Sequence, residues 1–455
     1  NGPGNQLTRG DSIAQASSSG ASLRRLFSLS GASRPYLDED VENESVSLAG
    51  DIGDRIVSRR GSQRQSVQSS MERGIAFPNA EELLDSYGFW SHDHTTKHHI
   101  SSITIGGEEG AAPLFEYCAY LIHLSVFGIL GVLTRFLLQK LFGSSVIGVT
   151  SDKSILYLDL PSNMMCRIEE VTNFQVCKLL RRRLGSFLMG WLGVIFKGKI
   201  SHMSDHLAVG LSTGYLGSLT TFSGWNQKML DLSVNGHWVF AVLGFLVGLF
   251  LAAYSIIVGI ETAKGFRWLL ERTGNSSSFS KLRVNNFKSH LIVLTVLMLV
   301  WVGLWTTSGI LENKEFKNGG SGAQLLVGCL VGPFGVWLRW WLARFNGRGL
   351  GKAGRWKWIP FGTLAVNVSA ACVMAALATV KKAVSTKDCD TVSSGIQFGL
   401  LGCLSTVSTF MAEYNAMRES SHPWRAYVYA LITLLISFGL GTLIYSVPVW
   451  TLGYN

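Results

Sequence analysis

Apolar runs of membrane length recur along the chain from about residue 113 onward, separated by polar or basic stretches. A helix that crosses a bilayer needs about 20 consecutive, mostly apolar residues. On that criterion the pattern predicts nine spans, at about 114–138, 155–196, 205–222, 237–260, 290–311, 323–343, 359–380, 393–412 and 425–447. The sequence therefore predicts an all-α polytopic membrane protein whose two ends lie on opposite sides of the membrane.

Charge is divided unevenly between a polar N-terminal segment and the apolar remainder. Residues 1–112 are rich in Ser, Gly and charged residues and hold ten Lys/Arg against fifteen Asp/Glu, whereas the remainder holds thirty against fifteen. Because such a segment cannot bury enough apolar surface to fold, we expect a disordered tail. The net charge of +10 thus comes from the membrane part. It indicates cytoplasmic loops and gives no sign of nucleic-acid binding, since basic and aromatic residues do not alternate.

The loops predict the orientation of the chain. The loop after the fourth span holds six Lys/Arg, the loop after the sixth span holds six if Arg339 near the end of that span is included, and both loops fall on the same side. The positive-inside rule places them and the N-terminus in the cytoplasm, and we expect the plasma membrane as the location. Lys381, Lys382 and Lys387, after the seventh span, run mildly against this orientation. The seven cysteines are scattered without a CxxC pair, which argues against a disulfide scaffold or a zinc site.

An internal repeat divides the membrane part. The first and sixth spans share the pattern GxxGVxxR followed by an aromatic residue, and the third and eighth share GxLGxL followed by a Ser/Thr run. Between these motifs stand Asn163 in LPSN and Asn367 in LAVN, each 28 positions after the arginine of its own copy, Arg135 or Arg339. Repeats of this kind are typical of transport proteins.

The two copies differ in length at one place. From Asn367 to Gly402 is 35 positions, but from Asn163 to the matching Gly217 is 54. The excess of 19 residues falls at 166–184, CRIEEVTNFQVCKLLRRRL, without which SNMM joins GSFLMGWL and lines up with VNVSAACVMAAL. We expect this stretch not to belong to the working protein, as with a retained intron or a gene-model error. The alternative is an exposed loop, with the second span restarting after it.

Each copy holds four spans, and the fifth span joins them, so the second copy is predicted to be inverted relative to the first. Two antiparallel four-helix units would then pack about a pseudo-twofold axis in the membrane plane. The predicted segments are a cytoplasmic tail (1–112), a first unit (113–260), a basic loop with a linker helix (261–312) and a second unit (313–455).

Nothing in the spans is typical of an enzyme. The Asp and Glu residues are predicted to lie in tails and loops, and the absence of intramembrane carboxylates disfavours a proton-coupled transporter. Arg135 and Arg339 stand near span ends, where we expect them to snorkel to the interface. What the spans offer are neutral donors: the amides of Asn163 and Asn367, and the runs TTFSGW and STVSTF, which combine hydroxyls with rings. Ring edges carry partial positive charge and can face an anion.

Each of these features also has a purely structural interpretation. A GxxG pattern in a membrane helix most often serves close packing, and an Asn often holds helices together. Ser and Thr usually bond back to their own helix. The Gly-rich sequence before each of the two Ser/Thr runs indicates a helix break. The backbone carbonyls freed by such a break could bind a cation. Duplication at matched spacing is what favours a functional interpretation.

These motifs resemble the fluoride channel and exporter family, called Fluc or CrcB in bacteria and FEX in eukaryotes. The bacterial pattern has an early GxxGaxxR, then GTLxVNxxGsF, then GGxTTFSTF. Here the second copy supplies GTLAVN at 362–367, and the first supplies GSF at 185–187 and TTFS at 220–223. The match covers about residues 115–450, and the two-unit layout is similar to that of the eukaryotic members. The resemblance implies passive, fluoride-selective export by a monomer in membrane lipid, without an organic cofactor.

The resemblance also implies roles for individual residues. It places along the fluoride pathway Asn163, Asn367, Phe222, Phe410, Thr221, Ser223, Thr406, Ser408 and Thr409. It implies a structural sodium ion held by the backbone carbonyls of Gly217, Thr220, Gly402 and Ser405.

Departures from the family pattern predict two unequal pores. If each pore takes one ring from each unit, one pairs Phe222 with Phe410, whereas the other pairs Val407 with Trp225. We predict that the first conducts and the second is vestigial. Two other functions stay open at this point: an ion-coupled secondary transporter of a small anion, and a membrane scaffold whose tail recruits partners.

Overall fold

The computed structural model describes residues 111–142, 185–196, 200, 203–272, 287–316, 320–346, 356 and 358–454. This described part consists of helices and short connections and contains no strand. Asn163, the stretch at 166–184 and residues 1–110 of the predicted tail lie outside the described residues.

Eleven helices are numbered here along the described part of the chain. The first half contains α1 (Ala111–Phe142), α2 (Gly185–Leu188, continued by a π-helix over Met189–Ile195), α3 (Asp205–Val209, a π-helix over Gly210–Leu216, then Gly217–Leu219), α4 (Phe222–Val234) and α5 (Trp238–Arg272). After α6 (Phe287–Glu315) follow α7 (Ser321–Ala343), α8 (Phe361–Val384), α9 (Lys387–Ile396, a π-helix over Gln397–Leu401, then Gly402–Leu404), α10 (Ser408–Glu419) and α11 (Trp424–Gly441, a π-helix over Thr442–Ser446, then Val447–Leu452).

Seven helical stretches of the described residues are long and apolar enough to cross a bilayer. They are Leu114–Leu141, Trp238–Leu270, Ser289–Glu315, Ser321–Ala343, Phe361–Val384, Lys387–Glu419 and Trp424–Leu452. These match the first and the fourth to ninth predicted spans. Large apolar side chains on their outer faces are exposed to the surroundings, most of all along α6. Such a surface suits lipid, so the chain is a multi-pass membrane protein.

The GxxG motifs of α1 and α7 are packing surfaces. A Cβ added at Gly128 would lie 2.7 Å from Val336 Cγ2, and one added at Gly332 would lie 3.4 Å from Val132 Cγ2. The first glycine of each motif therefore packs against the valine of the other copy. This confirms the close-packing interpretation of the motif.

The second glycine of each motif packs its helix against α3 or α9. A Cβ at Gly131 would lie 2.7 Å from the Tyr215 carbonyl oxygen, and one at Gly335 would collide with the Leu400 carbonyl. Glycine is required at both positions because backbone meets backbone there. The motif thus joins the two copies and also fixes the helices that carry the site.

A short connection positions α9. The helix α8 begins after Pro360 and ends at Ser385, whose φ of 48° lies in the left-handed region. The helix α9 begins two residues later, at Lys387. Thr386 caps its start, since Thr386 Oγ1 accepts the Cys389 N–H at 3.3 Å.

Candidate functional site

Two broken helices form the centre of the molecule. The chain leaves α3 at Thr220 with extended dihedrals (φ −104°, ψ 139°), and α4 begins at Phe222. It leaves α9 at Ser405 in the same way (φ −78°, ψ 157°), and α10 begins at Ser408. The breaks occur where the sequence predicted them. Non-helical backbone within a membrane needs protein partners for its freed polar groups.

Each break supplies the cap for the other break's second helix. Ser405 Oγ accepts the backbone N–H groups of Phe222 at 3.2 Å and Ser223 at 3.1 Å. Thr220 Oγ1 accepts the N–H of Ser408 at 3.0 Å. A cap of this kind stabilises a helix start by about 1 kcal/mol. The two repeat copies therefore complete each other's fold at this point.

The hydroxyls predicted from the sequence come together around these caps. Thr221, Ser223, Thr406, Ser408 and Thr409 are all buried. Their Oγ–Oγ contacts are Thr221–Ser405 at 3.1 Å, Ser223–Ser405 at 2.9 Å, Thr220–Ser408 at 3.1 Å, Thr220–Thr406 at 3.4 Å, Thr406–Ser408 at 3.2 Å and Thr406–Thr409 at 3.5 Å. We call this group the hydroxyl cluster. Its O–H groups can rotate and so can donate either to one another or to an anion.

Aromatic rings meet edge to face beside the hydroxyl cluster. The centroids of Phe222 and Phe410 lie 6.0 Å apart at an interplanar angle of 68°, and Phe410 lies 5.1 Å from Tyr429. Phe222 also meets Trp225 edge-on at 5.9 Å. The structure therefore brings together Phe222 and Phe410, the pair that was predicted for one pore. Val407 is buried too but contributes no ring.

The Asn367 amide is bound to the second break. Its Nδ2 donates to the Thr406 carbonyl at 3.1 Å, and its Oδ1 accepts the Thr406 N–H at 2.9 Å. These bonds stabilise the extended backbone between α9 and α10. The structural interpretation of this Asn is thus part of its role, and its second amide N–H has no hydrogen-bond partner among the described residues. Its predicted counterpart, Asn163, lies outside the described residues.

The expectation that the two arginines snorkel is wrong. Arg135 is 1% exposed and Arg339 4% exposed. Arg135 Nη1 donates to the carbonyls of Ser218 and Gly402, both at 3.0 Å, and Arg339 Nη1 donates to the Ser405 carbonyl at 3.4 Å. Carbonyls at the C-terminal ends of broken helices attract cations. The side chains therefore turn inward to the breaks and do not extend to the membrane surface.

One carboxylate lies inside a span, contrary to the sequence analysis. Glu413 on α10 is fully buried. Its Oε1 accepts the Thr363 hydroxyl at 2.6 Å and the Asn346 amide at 3.4 Å, and its Oε2 accepts the Tyr429 hydroxyl at 2.8 Å. These donors compensate the loss of water around the charge. The predicted eighth span ended one residue too early, at about 412, and so missed it.

A polar stripe on α11 was also missed. Tyr429, Thr433 and Ser437 follow one another at intervals of four and are fully buried. Within the described part of the chain, Ser437 Oγ and Asn226 Oδ1 are buried without a hydrogen-bond partner, while Asn226 Nδ2 donates to the Ser437 carbonyl at 3.4 Å. The i, i+4, i+8 spacing of polar residues in an otherwise apolar helix is the signal that would have found it.

Two cavities approach the centre, one much larger than the other. The wide cavity has a volume of about 250 Å³, and the narrow cavity of about 10 Å³. Matched residues of the two repeat copies line them: Arg135, Thr221 and Gly224 the wide cavity, and Arg339, Thr406 and Thr409 the narrow one. Thr409 in the narrow cavity occupies the position that Gly224 has in the wide cavity, and its larger side chain leaves less space there.

The two cavities lie at opposite ends of α7. Gln324, near the start of this helix, lines the wide cavity, and Ala343, at its end, lines the narrow one. At a rise of about 1.5 Å per residue the two positions are about 28 Å apart, close to the thickness of the bilayer core. The cavities therefore reach the centre from opposite ends of α7, and members of the hydroxyl cluster line both of them: Thr221 the wide cavity, and Thr406 and Thr409 the narrow one.

Comparison with known proteins shows which family and relatives the sequence of this chain is similar to. A family model described as "CrcB-like protein, Camphor Resistance (CrcB)" matches the chain twice, at residues 122–260 and 326–445. A protein named "Fluoride-specific ion channel FluC" from Shewanella sp. (strain ANA-3) is 36% identical over 88 residues, covering 19% of this chain and 69% of that protein. Its namesakes from Shewanella frigidimarina and Shewanella oneidensis are 36% and 35% identical with the same coverage. No solved structure matches the chain.

Proposed function

Because this chain belongs to the CrcB-like family, which matches both halves of its membrane part, we propose that it is a fluoride-selective channel for passive export of cytoplasmic fluoride. The proposal rests above all on the hydroxyl cluster, whose members line two cavities that reach the centre from opposite ends of α7, and on the pair of Phe222 and Phe410 beside it. It is tested in a fluoride-sensitive host. Expression should allow growth at fluoride concentrations that stop the host, and an unchanged tolerance despite normal expression would contradict the proposal.

The chemistry of the centre suits a small, strongly hydrated anion. A narrow path must replace the ion's water with donors along its length, and conduction requires that each site bind weakly. Rotating hydroxyls and ring edges provide such donors without the tight grip of an ion pair. Thr221 lines the wide cavity and adjoins Phe222, while Thr409 lines the narrow cavity and adjoins Phe410. Fluoride would pass from one cavity to the other between these residues.

One working pore is the arrangement we favour. Phe222 and Phe410 meet edge to face, and Tyr429 extends the ring contact toward α11. Val407 takes the corresponding place in the other pore, so of the two ring positions there only the one of Trp225 carries an aromatic side chain. We therefore assign conduction to the first pair and treat the pair of Val407 and Trp225 as vestigial.

For the layout we propose two inverted four-helix units, 113–260 and 313–455, joined by the linker segment 261–312 after the tail 1–112. Matched contacts support the inverted repeat, since Arg135 reaches the second unit at Gly402 and the break at Ser405 caps α4 of the first. The two units in one chain would work as a monomer in lipid. The basic loops favour a cytoplasmic N-terminus at the plasma membrane.

We further propose a structural sodium ion at the breaks. Backbone carbonyls where membrane helices unwind are the usual ligands of Na⁺ in such proteins. The carbonyls of Gly217, Thr220, Gly402 and Ser405 have this chemistry, and a carbonyl oxygen offers two lone pairs. Arg135 and Arg339 already donate to Gly402 and Ser405, so sodium would share these two oxygens with the guanidinium groups.

Sodium removal tests this site without reference to transport. Replacing Na⁺ by N-methyl-D-glucamine in detergent solution should lower the thermal midpoint of the purified protein, because the breaks lose a ligand that binds only the folded state. Differential scanning fluorimetry with a sodium titration measures this. Equal midpoints in both cations would contradict a sodium site.

The stretch at 166–184 is expected to impair the channel. It interrupts the repeat directly after Asn163 and carries Arg and Glu residues into a predicted span, each of which costs about 2.5–3.5 kcal/mol at the centre of a membrane helix. Deleting it should raise fluoride efflux from liposomes at least severalfold. If the trimmed and complete chains conduct equally, the stretch is an exposed loop of the working protein.

A further inference from the structure

Each ring of the pair Phe222 and Phe410 has a further aromatic neighbour. Phe410 meets Tyr429 of α11, with ring centroids 5.1 Å apart at an interplanar angle of 60°. Phe222 meets Trp225, which follows it by one turn of α4, at 5.9 Å and 77°. Both contacts have the edge-to-face geometry that aromatic pairs prefer. The orientation of the Phe222 ring therefore depends on Trp225 as well as on Phe410.

Trp225 packs directly on the backbone of α5. Its side chain is 1% exposed, and a Cβ added at Gly248 would lie 2.5 Å from Trp225 Cζ2 and 2.8 Å from its Cε2. Phe245, one turn earlier in α5, has its ring centroid 5.6 Å from that of Trp225. The indole thus fills the space that the missing side chain of Gly248 leaves, and this rigid ring has no flexible end that could move aside.

Shape, and not hydrogen bonding, holds this indole in place. Within the described part of the chain, Trp225 Nε1 is buried without a hydrogen-bond partner. Gly248 follows Trp225 by 23 positions, and Thr433 of α11 follows Phe410 by the same interval. Gly248 and Thr433 are both buried, so α5 has glycine on its inner face where α11 has a hydroxyl. The first unit therefore has room for a large ring at this place.

We infer that Trp225 is a positioning residue, which packs on Gly248 and fixes the ring of Phe222 in the conducting pore. A ring has a positive edge and a negative face, so its tilt decides which of the two an anion meets. An edge-to-face contact with a rigid neighbour sets this tilt. The inference rests on the proposed function as a fluoride channel, and it gives a role to a residue whose own pore is vestigial.

Gly248→Ala tests the contact, because the added methyl group displaces the indole. Fluoride efflux from liposomes, scaled to folded protein, should fall about tenfold, which equals about 1.4 kcal/mol and is in the upper range for one ring contact. Gly248→Ala combined with Trp225→Phe should return to within about threefold of the unmodified chain, since the smaller ring leaves room for the methyl group. Gly265→Ala is the matched control on α5 and should conduct normally, because nothing among the described residues stands within 4 Å of its new Cβ.

Ion preference and stability separate positioning from packing. If Trp225 only fills space, Gly248→Ala lowers the thermal midpoint, while the folded protein keeps its flux and its preference for fluoride over chloride. If Trp225 positions Phe222, both flux and preference fall. Should Gly248→Ala fail to fold, Trp225→Leu takes its place. This variant keeps an apolar side chain and removes the ring beside Phe222, so flux and preference should fall in the same way.

Three results would overturn the inference. The first is unchanged flux and ion preference in folded Gly248→Ala or Trp225→Leu. The second is a double variant that conducts no better than Gly248→Ala alone. The third is residual flux in Phe410→Ala that Trp225→Leu removes, since Trp225 would then belong to a second conducting pore. Absence of fluoride efflux from both the full chain and the chain without residues 166–184 would instead overturn the proposed function.

Discussion

Phe410→Ala is expected to abolish fluoride flux, whereas Val407→Ala leaves it nearly unchanged. Both side chains are fully buried in the same core. Phe410 holds ring-edge contacts with Phe222 and Tyr429, so its removal deletes the aromatic part of the path. Val407 has no ring to lose. Fluoride efflux from liposomes, and growth of a fluoride-sensitive host, measure the difference.

Stability must be separated from conduction in this comparison. Replacing a buried Phe by Ala costs about 3–5 kcal/mol of stability. Phe410→Leu is the matched control, since it keeps most of the volume and removes only the ring. It should elute as a folded protein in gel filtration and still fail to conduct. Full flux through Phe410→Leu, or loss of flux in Val407→Ala alone, would reverse the assignment of the two pores.

Gly335→Val is expected to prevent the protein from folding. A Cβ at Gly335 collides with the backbone carbonyl of Leu400 and comes within 3.1 Å of Cys403 Cβ, so α7 could no longer lie against α9. Overpacking against side chains costs about 1–3 kcal/mol. Here the contact is with backbone in the helix that carries the break, and we expect a larger loss.

The control for this variant lies on the linker helix. Gly303→Val in α6 adds the same side chain where nothing stands within 4 Å of the new Cβ. Fluorescence-detected gel filtration after heating should show a monodisperse protein for Gly303→Val and aggregate for Gly335→Val. If both variants melt like the unmodified chain, the close approach of α7 and α9 is not required.

The sequence contained enough information to predict features that the repeat copies share. The helix breaks at Thr220 and Ser405 followed from the Gly-rich sequence before each Ser/Thr run, where the pattern GxLGxL occurs in both copies. The contact of Phe222 with Phe410 followed from the family resemblance and the order of the rings. The helix breaks and the ring contact could therefore be predicted, because the residues that determine them are close together in each repeat copy and occur at matched spacing in both.

Other features depend on partners far away in the chain. Arg135 is buried because its acceptors include Gly402, 267 positions later, and a span read by itself gives no sign of such a contact. Glu413 follows the apolar window that defined its span and is kept inside by Thr363 and Tyr429, which belong to other helices. Hydropathy alone assigns charged residues to interfaces and loops, so tertiary contacts had to be known before these two could be placed.

The most direct measurement is fluoride efflux from liposomes that contain the chain without residues 166–184, driven by a potassium diffusion potential at neutral pH. A fluoride channel predicts rapid efflux that follows the voltage, persists when the proton gradient is collapsed, and is not matched by chloride under the same potential. Efflux that requires a proton gradient, or equal release of chloride and fluoride, would contradict a passive fluoride-selective channel.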